Sequence, residues 1–228
     1  MQIGLKFVYG ALACSLAIAG CKKDKQEAAT SAAPAPASVP AATAPPASAA
    51  PASADANGAD TTAKLAGAAW ALKQDEIKND AKGQWAIEAK ASSTYNDAKG
   101  NDSWSANHAT GAPDVDKYAD DGHAWTSKTP DAGIEWLELK FPRPVFAEEV
   151  RVRESYGSGA VIKVEVFDDQ GTAHSVWAGN DPTKDLNYLM VKFPKTTFKT
   201  ERVKITLATN VVPGWNEIDA VQLVGSDQ

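Results

Sequence analysis

Three histidines, His108, His123 and His174, and two cysteines, Cys14 and Cys21, are the chain's whole supply of either type. Cys14 falls within an apolar N-terminal run and Cys21 at its lipobox-like end, so no Cys remains to join the histidines in a zinc site. Ser92, Ser103 and Ser105 lack the Gly-x-Ser-x-Gly setting of a nucleophile elbow. Glu135 and Glu138 can be drawn as a glycosidase couple, but residues three apart on a strand face opposite sides. Catalysis is not expected. What stands out instead is the segment 96–130, which has no periodic pattern and is rich in Asp, Asn, Gly and Ser. It holds Trp104, His108, Tyr118, His123 and Trp125, more rings than a solvated loop needs. A loop of this length in a compact domain is usually functional or held by something.

The rest of the chain must position that loop, and its composition is uneven. All seven Trp lie from Trp70 to Trp215, while 23 of the 36 residues over 28–63 are Ala or Pro. One domain large enough to bury a core is therefore expected, preceded by a tether. The net charge is −6, and from residue 65 onward 18 Lys and Arg stand against 25 Asp and Glu. No basic cluster exceeds a dipeptide, so a nucleic-acid partner is not expected.

The first twenty residues read as an address. Lys6 precedes an apolar run over 7–20, too short to span a bilayer and of the right kind for a secretory signal. Its end, Ile18-Ala19-Gly20-Cys21, resembles the bacterial lipobox, which implies cleavage and lipid attachment at Cys21. Lys22 stands where Asp would retain such a lipoprotein at the inner membrane, so by resemblance the outer membrane is expected. Residues 21–64 then form a tether. Its composition cannot offset the entropy of ordering, and six prolines from Pro34 to Pro51 interrupt any helix.

The spacing of Leu65, Ala68, Ala69, Leu72 and Ile77 predicts a short helix within 65–83, over 65–81. From residue 84 the period becomes two. It predicts strands at 84–91, 133–141, 147–154, 161–167, 172–178, 188–193, 202–209 and 216–224. Asp168-Asp169-Gln170-Gly171 reads as a tight hairpin, and 142–144, 157–159 and 180–182 read as breaks. Eight strands with no helix between them give an all-β sandwich or barrel over 84–228.

Four pieces of this domain resemble the discoidin domains, the coagulation factor V/VIII C-type modules of the galactose-binding-like superfamily. Ala91-Ser92-Ser93-Thr94-Tyr95 looks like their first-strand signature. Ala112-Pro113-Asp114, followed by Ala124-Trp125-Thr126-Ser127, resembles the Asp loop with its Trp-x-Ser. Glu135-Trp136-Leu137-Glu138-Leu139 is similar to the next strand, and Val212 to Val221 to the closing one. Val115 departs from the family's usual Gly, and the stretch from Asp114 to Trp125 is longer than usual.

The resemblance implies an eight-stranded jelly roll that binds through loops at one end. It implies a structural Ca²⁺ held by Asp114 and Glu217, with Asp116 as a possible third ligand. It also implies recognition of a sugar, a phospholipid head group or a protein. Trp104, Tyr118, His123, Tyr156 and Trp215 fall in loops or at strand ends, where rings can meet the apolar face of a sugar. Trp85, Trp125 and Trp136 are expected in the core. The expectation is a lipid-anchored, non-catalytic envelope module, most readily for carbohydrate, with a protein-interaction module as the competing reading.

Overall fold

The computed structural model describes residues 55–96 and 102–228. The signal, Cys21 and the prolines of the tether lie outside them. Helix α1, Asp55–Lys78, is followed by strands β1 (Gly83–Trp85), β2 (Glu88–Ala91), β3 (Ile134–Tyr156) and β4 (Val161–Phe167). Strands β5 (Ala173–Ala178), β6 (Asn187–Lys192), β7 (Lys199–Ala208) and β8 (Glu217–Ser226) complete the eight.

All pairings are antiparallel, and β3 belongs to both layers of the sandwich. Its first half pairs with β2 and β7, and its second half with β6 and β8. One layer thus runs β2-β3-β7-β4-β5 and the other β1-β8-β3-β6. The eight-stranded sandwich is the expected fold, reached with different strand limits. The stretch 84–91 breaks in two because Ala86 N–H bonds to Val221 O of one layer and Ile87 N–H to Lys140 O of the other. Conversely, 133–141 and 147–154 are one strand. Pro142 and Pro144 do not end it. They occupy the register shift between Lys140 and Val145, where their missing N–H groups cost no ladder bond.

The 168–171 hairpin forms as its residues dictate. Gly171 takes φ +81°, and its N–H bonds to Asp168 O at 3.0 Å. The core between the layers is made of alternate strand residues, among them Leu137, Leu139, Val150, Val152, Val164, Val166, Ile205 and Leu207. Trp125 fills it from the long loop and is wholly buried, whereas Trp85 and Trp136 are only part-buried.

Helix α1 begins ten residues earlier than its apolar spacing suggests and takes in 55–64, which composition assigns to the tether. No proline follows Pro51 in this stretch, so nothing there stops an Ala-rich helix. Only its last turns touch the sandwich, with Ile77 buried while Leu65 and Leu72 stay exposed. Beneath them lies the outer face of β3. Arg151 bonds Asp80, Glu149 and Gln222, and Gln222 Nε2 donates to Ile77 O at 2.9 Å. Arg153 donates to Gln74 and stacks against Trp70 and Tyr188, at 5.5 and 5.0 Å from their ring centroids.

Candidate functional site

The start of β8 is where the long loop is fastened. Ile218 and Trp125 exchange backbone hydrogen bonds of 3.0 and 2.9 Å, an isolated bridge that carries the loop onto the sandwich. Asn216 Nδ2 donates to Gly157 O at 2.7 Å, and Gly157, at φ +54°, leaves no room for a Cβ against the Trp215 carbonyl. The ends of β3 and β8 are thereby locked together.

On this base stand three aromatic groups. Tyr95 meets Trp104 edge-on at 5.3 Å and Trp215 at 5.5 Å. Around it is a depression of about 40 Å³ lined by Tyr95, Trp104, Asp120, Thr126 and Trp215. Trp104 sits at φ 58°, a strained setting for a bulky residue that its indole contacts hold in place. Its Nε1 donates to Asp120 Oδ1 at 3.0 Å and Glu217 Oε1 at 3.2 Å. The second group is Tyr118 with Tyr156, ring centroids 5.4 Å apart. The third is His123 with His108 at 5.8 Å. His123 Nδ1 lies 2.7 Å from Asp121 Oδ1, and this hydrogen bond holds the imidazole above its usual range.

Of the five ring residues expected from the sequence, Trp104 and Trp215 share one cluster, Tyr118 and Tyr156 a second, and His123 a third. The residue missed is Tyr95, which joins the first cluster. β2 stops at Ala91, so Tyr95 is already in the loop. The place where the strand ends was the only signal.

The acids are divided as well. Glu217, fully buried, accepts at Oε1 from Trp104 and at Oε2 from Asp121 N–H at 3.2 Å. Burial pushes its carboxyl up to about 8. Asp219, also buried and pushed up to about 7 by desolvation, accepts from Asp114 N–H at 3.2 Å. The Asp114 and Asp116 side chains are exposed. The structure therefore sets Glu217 with Asp120 and Asp121, and Asp114 with Asp219. Among the described residues no three carboxylates, imidazoles or thiols gather as a metal would require. Asp114 and Glu217 thus meet different partners, Asp114 N–H the Asp219 carboxyl and Glu217 the Trp104 indole and Asp121 N–H.

The family described as "PAPPA: Pappalysin-1, SD scarf domain, C-terminal" matches residues 74–228. The chain belongs to this family. The match takes in the whole sandwich and begins within the docked end of α1. No curated protein matches the chain. Among solved structures, the chain is similar to chitosan-binding module 1 of a Paenibacillus sp. IK-5 chitosanase/glucanase. The identity is 16%, over 61% of this chain and 96% of that one, with a TM-score of 0.45. A family 32 carbohydrate-binding module of C. perfringens NanJ, solved with galactose, is 16% identical over 62% of this chain and 98% of its own, with a TM-score of 0.46. XRCC1 bound to the DNA polymerase β catalytic domain is 13% identical over 63% and 98%, with a TM-score of 0.48.

Proposed function

We propose that the domain is a non-catalytic carbohydrate-binding module, anchored in the bacterial envelope through a lipid on Cys21. The observation that carries the sugar reading is Tyr95 held edge-on between Trp104 and Trp215, with the exposed Asp120 at the rim. The depression is too small to enclose a ring, so binding would use the faces and edges of these side chains. Asp120 would accept from a sugar hydroxyl. A glycan array and polysaccharide pull-down test this, with Trp215→Ala as the control that loses the signal. A blank array together with a stoichiometric envelope protein in the pull-down would replace it with the protein-interaction reading.

The anchor rests on the Ile-Ala-Gly-Cys end of the apolar run, and Lys22 after the Cys favours the outer membrane. Among the described residues no helix is long and apolar enough to cross a bilayer. Fractionation of wild type against Cys21→Ser tests the anchor, since loss of the acyl chains releases the mutant to the soluble fraction. Calcium is a separate proposal. Ion binding at Glu217 would displace the two N–H donors that now satisfy it, and the paired acids of the loop would supply the negative charge.

A further inference from the structure

A cleft of about 280 Å³ runs between α1 and the 113–116 loop, with no residue in common with the depression around Tyr95. That volume is close to the lower end of ligand pockets, ~300–1,000 Å³. Its wall on the helix side is Trp70, Gln74, Asp75 and Lys78, facing Asp116 and Tyr188. Trp70 is 40% exposed, and the buried guanidinium of Arg153, itself held between Gln74, Tyr188 and Asp219, lies against its ring. The Gln74 side-chain oxygen accepts from Arg153, which leaves its amide nitrogen buried with no hydrogen-bond partner among the described residues.

We propose that this cleft is a second carbohydrate site, built for a neutral pyranose ring; the ligand class rests on the function proposed above. The lining supplies one ring face, a donor at Lys78 and acceptors at Asp75 and Asp116, and it includes the part-buried Gln74 side chain. Hydroxyls both donate and accept, so a neutral sugar satisfies both sets. Lys78 and Arg153 stand against Asp75 and Asp116, so the lining carries no net charge and favours neither a carboxylated nor a cationic sugar. Trp70 precedes the family-matched residues, so this chain's own helix completes the cleft. Two sites on one domain would bind a polysaccharide more tightly than a monosaccharide, by raising the effective concentration at the second site.

The test uses full-length protein in detergent with fluorine-labelled tryptophan, which gives one resonance for each of the seven Trp. Galactose, glucose and N-acetylglucosamine are titrated separately, with galacturonate as the charged comparison. The Trp70 resonance, assigned with Trp70→Phe, is expected to move with at least one neutral sugar. Gln74→Ala should weaken that response about tenfold and leave the Trp104 and Trp215 responses unchanged. Lys78→Ala, at an exposed position, should weaken it also, which keeps the test valid where Gln74→Ala loosens the helix. If Trp104 and Trp215 respond and Trp70 does not, the cleft is not a site while the loop-end reading stands. If none responds, both readings fail. A stronger response to galacturonate overturns the neutral-ring assignment.

Discussion

The indole Nε1 of Trp104 donates to the carboxyl of Glu217 at 3.2 Å, across 113 positions of sequence. Through that contact the long loop and the last strand share one polar bond, made inside the protein by a residue held at positive φ. Trp104→Phe keeps the ring and removes the donor. It should destabilise the domain by about 1–3 kcal/mol, the cost of leaving a buried acceptor unsatisfied. Urea denaturation reads this as a lower midpoint at unchanged slope.

Glu154 sets a pH dependence. It is buried, accepts from Gly159 N–H at 2.7 Å and faces Asp181, and desolvation pushes its carboxyl from 4.5 to about 9. The folded state therefore keeps a proton that the unfolded chain releases above 4.5. Stability should fall as pH rises from the unfolded value and level off above about 9. Glu217 and Asp219, raised as well, add slope of the same sign. Denaturation across this range should show a shallower fall for Glu154→Gln than for wild type, and equal slopes would remove Glu154 as the cause.

Arg153 and Asp219 form a pair at 3.7 Å, their side chains 4% and 1% exposed. Arg153→Ala leaves the acid buried beside Asp114 and should cost about 3–5 kcal/mol. Asp219→Asn in the same chain should recover part of this, a coupling that a double-mutant cycle measures. Arg153→Lys should not substitute, since one ammonium cannot replace a fork that reaches Gln74 and Val115 while lying against two rings.

Calcium at a hundredfold excess over its dissociation constant should stabilise the fold by ~2.7 kcal/mol if it binds at Glu217. For a domain of this size the midpoint should then rise by several degrees, at roughly 2–4 °C per kcal/mol. Glu217→Ala should lose the rise. An unchanged midpoint in chelator, with no metal by elemental analysis, would leave Glu217 as the acceptor of two N–H groups and nothing more.

The strands were legible because side-chain alternation survives wherever one face meets the core, as in Val150 and Val152 against Arg151 and Arg153. The same alternation misplaces the two arginines. Alternation read alone would turn them to solvent, yet α1 covers that face and buries them in a polar network that no local pattern reveals. The ring residues of the site were legible by type, but their grouping was not. Tyr95 joins Trp104 and Trp215 only because Trp125 bridges to Ile218 and sets the loop's path. The division of the acids arises from the same path. Register over a hundred residues decides which carboxyl meets which N–H, and spacing along the chain does not encode it.

Because β3 runs through both layers as a single strand, kinked at the register shift between Lys140 and Val145, opening one layer disturbs the other. Fraying at Lys140 strips partners from β2 and β7, and fraying at Arg151 strips them from β6 and β8. The ladder-paired amides of β3 on both sides of that shift should therefore exchange with deuterium through global unfolding, while those of β5 at the sheet edge exchange through smaller openings. Under force the two layers should then yield together, with the β5 edge the place where a protease finds the fold locally open.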